Sequence, residues 1–253
     1  AKGVTFYAID CSGKRVTRKF TVGGLKDRLI GSFRLSRQLL RTGLHHLLPL
    51  KNGNILVTAK RITYIVSPEG KVVHTFTGYQ GNKPGHQGVC VTPDGTIFFA
   101  EYLLNPERDH EIRLYRSTDN GASFQMVKEW SAGDIRHLHF VKWDRYEQCL
   151  WLGTGDYGEG GSENRLYKSK DNGDTWELIG QGSQDWRAIG VCFTKDDLLW
   201  GTDAGSCPDT VHFVRMDRQT QQLEIVADFE GPCHGCASYA DGRAFFSTGV
   251  EGG

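Results

Sequence analysis

The sequence predicts an all-β protein, a β-propeller built of four-stranded antiparallel blades. Three observations lead there. The segment RLYRSTDNGASF, Arg113 to Phe124, recurs fifty-two residues on as RLYKSKDNGDTW, Arg165 to Trp176, and a repeat of about fifty residues is the length of one blade. Short alternating apolar runs separated by Gly, Asp and Asn turns surround these two anchors. Glycine makes up 32 of 253 residues, well above the usual ~7%, as a turn-rich β chain requires.

Both repeats carry S-x-D-x-G-x-[ST]-aromatic: Ser117, Asp119, Gly121, Ser123 and Phe124, then Ser169, Asp171, Gly173, Thr175 and Trp176. The carboxylate is expected to accept turn amide hydrogens, the glycine to supply a positive φ and the ring to plug the blade. First strands are predicted at residues 44–50, 86–92, 136–142, 187–194 and 234–240, each followed by a tight turn such as Pro93-Asp-Gly95 or Ala240-Asp-Gly242. Second strands follow as ILVTA, TIFFA, CLWLG, LLWGT and AFFST. Third and fourth strands bracket the repeat turn or a worn form of it, Ser67-Pro-Glu-Gly70, giving four full blades. The first twenty residues read as a third and fourth strand, the last twenty as a first and second. Pairing them would close a fifth blade; otherwise the chain is part of a six- or seven-bladed ring. Residues 21–43 interrupt the single domain 1–253 with helix-compatible stretches. Arg28, Arg34, Arg37 and Arg41 there read as a solvated connection ahead of a substrate-binding cluster.

Lys+Arg and Asp+Glu both total 30, so no basic excess points to nucleic acid or an anionic membrane. No run approaches the ~18–20 apolar residues of a spanning helix. The N-terminus lacks the order of a secretory signal, and seven scattered cysteines are an odd number; a reducing, cytoplasmic compartment is the expectation. Only Cys233-His-Gly-Cys236 is close enough in sequence for shared chemistry, and it reads as two reduced structural thiols.

Long connections precede the first strands and follow the second: residues 21–43, 77–85, 102–110, 154–163 and 203–210. Binding groups collect on long loops of a rigid scaffold, so that side of the propeller, at the central channel mouth, is the functional candidate. Aligned on their turns, the first strands begin with His45, Gln87, His137, Ile189 and His234 at one register, and His139 lies two residues further. Second strands end in Lys60, Glu101, Asp156 and Asp203; Arg187, Tyr102, Tyr157 and Trp186 stand nearby.

Three chemistries fit. His45, Gln87, His137, His139 and His234 suit one divalent metal, Mn, Fe or Zn; no nucleotide cofactor is expected. His45, His137 or His234 could move a proton beside Arg187 or Tyr157. Glu101 with Asp156 or Asp203 could act as a hydrolytic pair, with Tyr102 and Trp186 binding substrate. The bland alternative is that the histidines only hydrogen-bond neighbouring blades or water.

The two S-x-D-x-G-x-[ST]-aromatic segments resemble the Asp-box (BNR) repeat of the sialidase-like propeller superfamily. The resemblance implies a propeller and a carbohydrate-active site. Sialidases place an arginine of an R-I-P motif at a first-strand start, whereas the matching stretch here is Leu44-His-His-Leu47 followed by Ile55-Leu-Val-Thr-Ala-Lys-Arg61. A true sialidase is therefore not expected. The His/Gln ring is similar in composition to the manganese site of the oligogalacturonate lyase propellers. The expectation is a lyase or hydrolase acting on an acidic saccharide, with a non-catalytic glycan- or protein-binding propeller as the alternative. The partners expected are a saccharide, without nucleic acid or membrane.

Overall fold

The computed structural model describes residues 3–10, 12, 15–39, 43–156, 159–203, 211–239 and 241–249. Four four-stranded antiparallel sheets dominate it, in the positions the sequence predicts. The first sheet holds β3 (His46–Pro49), β4 (Ile55–Ala59), β5 (Ile62–Val66) and β6 (Val72–Phe76). The second holds β7 (Val89–Val91), β8 (Ile97–Ala100), β9 (Ile112–Ser117) and β10 (Gln125–Trp130). In the third, β11 (His137–Asp144), β12 (Cys149–Gly155), β13 (Arg165–Ser169) and β14 (Glu177–Gln181) follow in chain order. The fourth comprises β15 (Cys192–Phe193), β16 (Asp197–Gly201), β17 (His212–Asp217) and β18 (Leu223–Asp228).

Two hairpins flank these sheets: β1 (Thr5–Asp10) with β2 (Arg15–Thr21), and β19 (Cys233–Ser238) with β20 (Ala244–Thr248). Each is a separate two-stranded sheet among the described residues, so the fifth blade expected from pairing the ends is not among their strand pairings. The interruption at 21–43 contains α1 (Leu25–Ser32) and α2 (Arg34–Leu39), which leave Leu25, Leu29, Phe33, Leu35 and Leu39 exposed. No helix among the described residues is long and apolar enough to cross a membrane.

The chain divides into two compact units. The first comprises residues 1–83, 91–97 and 116–125, with Val4, Phe20, Val22, Val57, Ala59, Tyr64 and Val66 at its core. The second comprises residues 84–90, 98–115 and 126–253. One of its cores gathers Phe98, Ile112, Leu114, Leu138 and Leu150; the other gathers Phe140, Trp151, Leu198 and Trp200. In β12 every residue is buried, as expected of a strand covered on both faces.

The repeat turns behave as their residue types predict. Asp119 Oδ1 accepts from Ser117 Oγ at 2.8 Å and from the Ser123 amide at 3.0 Å, and Oδ2 accepts from Ser123 Oγ at 2.6 Å. Asp171 repeats the pattern with Ser169 and Thr175. Gly121 and Gly173 have φ +83° and +84°, a region costly for any residue with a Cβ. A Cβ on Gly121 would meet Ile65, and one on Gly173 would lie 2.5 Å from Phe98 Cε1. Each glycine is thus fixed twice, by its turn and by the sheet before it. In the first unit Phe124 stacks on Phe76, centroids 4.4 Å apart.

The Thr175 hydroxyl and then its amide hold the Asp171 carboxyl down from 3.8 to about 2. At Asp119, slight burial opposes the same fall, and the Ser123 hydroxyl and amide bring it to about 2. A carboxyl lowered on folding stabilises fully above its unfolded pKa, and that contribution disappears as pH falls through the folded one. Asp171→Asn is therefore expected to lower the urea midpoint near neutral pH, the gap from wild type closing between 3.8 and about 2. Gly173→Ala is expected to cost about 2–4 kcal/mol at any pH, read in the same urea titration.

Candidate metal and anion site

His137 opens β11, and β-strand alternation would place His139 on the same face two residues later. The strand is irregular there. His137 pairs with Gly155 and Leu138 with Thr154, but Phe140 pairs with Gly153, so His139 is the extra residue of a bulge. Bulges re-aim side chains, and this one brings His139 Nε2 to 3.1 Å from His137 Nε2. Room for the ring comes from Gly155, where a Cβ would fall on the His139 imidazole.

The opposite nitrogens fix the tautomers. His137 Nδ1 donates to Leu103 O at 3.2 Å, and His139 Nδ1 donates to Ala188 O at 2.9 Å. A carbonyl only accepts, so both Nδ1 atoms carry hydrogen and, in neutral rings, both Nε2 atoms present lone pairs. Asp156 Oδ1 stands 3.8 Å from His137 Nε2 and 3.6 Å from His139 Nε2. Two lone pairs and a carboxylate therefore converge, with ligand atoms all within 4.8 Å of one another. Two imidazoles bound to one tetrahedral zinc hold their nitrogens about 3.3 Å apart, close to the spacing seen here. Burial, and then His139, push the His137 pKa down to about 3 against the pull of Asp156. The ring is neutral near pH 7, the form that ligates metals.

Arginines surround the carboxylate. Arg136 Nη1 lies 2.5 Å from Asp156 Oδ2; Arg187 Nη2 lies 2.6 Å from Asp156 Oδ1 and 2.9 Å from Asp203 Oδ2. Burial works to raise the Asp156 pKa, but the positive charge packed against the carboxylate, Arg187 included, outweighs it and holds the group well below the usual carboxylate range. Arg187 and Asp203 are buried, whereas the Arg136 side chain is 27% exposed. Tyr102 tilts over His137 with ring centroids 4.2 Å apart. Burial, then Asp156 and Asp203, raise its hydroxyl pKa, so it remains a donor. Glu163 anchors the entry to β11: it accepts from the Arg136 amide and from Arg108 Nε, both at 2.8 Å.

Of the residues the sequence singled out, His137, His139, Asp156, Arg187, Asp203 and Tyr102 come together in the second unit. Asp156, expected from the sequence as one of a carboxylate pair at the substrate, stands beside His137 and His139 as a third potential ligand. Gln87 turns its amide away from metal duty, Nε2 donating to Cys236 O at 3.0 Å and to Cys236 Sγ at 3.2 Å. Glu101 is fully buried and accepts from the Arg113 amide at 2.9 Å and from Tyr115 Oη at 3.4 Å. Trp186 packs on Trp200, centroids 6.1 Å apart, as part of a core. His234 is exposed on β19, outside the clustered ligand atoms. His45 belongs to the first unit, its amide donating to Thr58 O at 2.9 Å. Tyr157 lies outside the described residues. Arg136, Arg108 and Glu163 were missed. Arg136 adjoins His137, and alternation would send it to the other face; no sequence signal marked it.

A second gathering of potential ligands, Asp144, Glu147 and Cys149, already contains its cations. Arg218 Nη1 is 2.5 Å from Asp144 and 2.7 Å from Glu147, and Lys168 Nζ is 2.8 Å from Glu147.

No family model matches the chain, and no curated protein does so. Solved structures match over most of its length. The nidogen/laminin complex gives a TM-score of 0.51 at 10% identity, covering 87% of this chain and 70% of that one. The extracellular domain of a one-component system from B. thetaiotaomicron gives 0.57 at 11%, covering 98% and 31%. Dihydro-heme d1 dehydrogenase NirN in complex with DHE gives 0.56 at 15%, covering 82% and 42%. This chain thus spans less than half the length of the last two. These neighbours are β-propeller-like, and with the four four-stranded sheets they identify the fold as a β-propeller.

Removing one partner of a buried ion pair leaves the other charge uncompensated, a loss of about 3–5 kcal/mol. Arg187→Met, which strands Asp156 and Asp203 together, is expected to show that loss in chemical denaturation. Arg136→Met, at a partly exposed side chain, is expected to cost less than half as much.

Proposed function

We propose that the protein is a carbohydrate-active propeller enzyme, of lyase or hydrolase type, acting on an acidic saccharide with one divalent metal, Mn, Fe or Zn. The observation that carries this reading is the convergence of two carbonyl-fixed imidazole lone pairs, 3.1 Å apart, beside Asp156. His137, His139 and Asp156 would hold the metal. A bound dication lowers the pKa of a coordinated water or polarises a carboxyl oxygen.

Charge favours an acidic ligand. Asp156 and Asp203 are already balanced by Arg136 and Arg187, so a bound dication adds two positive charges that an anionic ligand would offset. Arg136 retains unused guanidinium donors; its buried Nε has no hydrogen-bond partner among the described residues. Tyr102 adds a ring face and a hydroxyl donor. The S-x-D-x-G-x-[ST] turns support placement in the sialidase-like superfamily, while His45-His46 in place of its first-strand arginine argues against sialidase activity.

A second reading rests on the same arginines. They fully neutralise Asp156, and His137 and His139 are only 2% and 3% exposed, which suits a rigid glycan- or protein-binding scaffold. Glycan-array binding that survives loss of the histidines but not alteration of loops 102–110 and 154–163 would favour it.

Elemental analysis of protein purified without an affinity tag, with turnover on a uronate and sialoside panel, separates the two. Bound metal near one equivalent and uronate turnover are expected, both lost in His137→Ala/His139→Ala. Gly155→Ala is expected to weaken metal binding by about 10–100-fold through the displaced imidazole, measured by competition with a chromophoric chelator. Metal-free wild type without turnover would end the enzymatic reading.

A further inference from the structure

Cys236 looks in sequence like half of a C-x-x-C with Cys233, but both lie on β19. Residues three apart on an extended strand are separated by about 10 Å, beyond the ~7 Å limit for a disulfide. The nearer sulfur belongs to another sheet. β15 and β19 lie against each other in the second unit, which sets the fully buried Cys192 beside Cys236. Cys236 is partly buried and free. Its sulfur also accepts from Gln87 Nε2 at 3.2 Å. Lys142 Nζ, anchored on Val191 O at 2.7 Å, brings positive charge beside the pair. The neighbouring Cys192 thiol, Lys142 and Gln87 lower the Cys236 pKa against burial, while Cys192 keeps its proton. Burial pushes Cys233 up to about 11, and its thiol is directed at Gly235 O, 3.5 Å away.

We propose that Cys236 and Cys192 form a peroxide-responsive thiol pair whose oxidation closes a disulfide between β19 and β15. The juxtaposition of a sulfur on a partly buried residue, held by an amide donor, with a fully buried thiol supplies an attacking and a resolving group. The oxidant is hydrogen peroxide. The Cys236 thiolate attacks a peroxide oxygen, an S–O bond forms and the O–O bond breaks. The departing hydroxide takes a solvent proton and leaves as water. Sulfur loses two electrons and the peroxide gains them. Cys192 then attacks the sulfenic sulfur, its proton passes to the leaving oxygen, the S–O bond breaks and a second water departs with the disulfide formed. None of these steps uses the histidine site, so this proposal and the metal reading stand or fall separately.

The test uses the full chain, reduced, freed of metal with a chelator and treated with one equivalent of hydrogen peroxide. Alkylation in denaturant and peptide mapping follow. A Cys192–Cys236 linked peptide is expected as the main product, forming at least about tenfold faster than oxidation of the buried Cys90 or Cys149. Cys192→Ala is expected to accumulate a dimedone adduct at Cys236, and Gln87→Ala to slow the reaction. Because a variant at a buried cysteine can lose its fold, the wild-type map decides alone. Cys236 reacting no faster than Cys90 and Cys149, or linkage of Cys236 to Cys233, would overturn the proposal.

Discussion

Two backbone carbonyls set the chemistry of the second unit. Leu103 O follows β8 and Ala188 O precedes β15, and each accepts a hydrogen from one Nδ1 of the histidine pair on β11. Segments from three successive sheets therefore determine the state of two side chains. With both Nδ1 atoms committed as donors, the Nε2 lone pairs must face each other across 3.1 Å, an arrangement that favours a shared cation over any neutral contact. The bulge and Gly155 make the approach sterically possible, and the carbonyls make it electrostatically directed.

The ordering of charge around Asp156 follows from that constraint. A carboxylate beside two imidazole lone pairs is repelled unless cations hold it. Arg136 takes one oxygen, while Arg187 takes the other and also Asp203. Arg136 is itself placed through its backbone, by Glu163, which also engages Arg108. The chain of support runs outward from the imidazoles through carboxylate, guanidinium and carboxylate to loop 102–110. Such outer partners usually set ligand orientation as firmly as the ligands themselves.

The fold was legible because its determinants are local. In the repeats, Asp119 and Asp171 bond within four residues, and the turn glycines meet a requirement that depends on φ. Strand positions followed from alternation and from turns such as Pro93-Asp-Gly95. The site was legible only where register stayed regular. His137 emerged from aligning first strands, but the alignment treated those strands as uniform. It set His137 and His139 beside His45, Gln87 and His234 in one metal set, and of these the bulged strand itself brings only His137 and His139 together. Arg136 was hidden for a related reason, since alternation assigns neighbours of a strand residue to the opposite face. Cys233 and Cys236, read from the sequence as two reduced structural thiols, are both free on β19, whereas the neighbour of Cys236 on β15, Cys192, is set by sheet packing that spacing does not reveal.

Preorganisation bears on how such a site would hold a metal. Its ligands are buried and hydrogen-bonded beforehand, so little side-chain freedom remains to be lost on binding. Against that gain, a cation must share Asp156 Oδ1 with Arg187, and the two positive groups repel. Neither effect dominates by kind, and their balance depends on what else enters. An anionic ligand near Arg136 would draw that guanidinium partly off Asp156 and return electron density to the carboxylate, tightening its hold on the metal. Metal and acidic ligand would then bind with positive coupling, each raising the affinity for the other by the same factor.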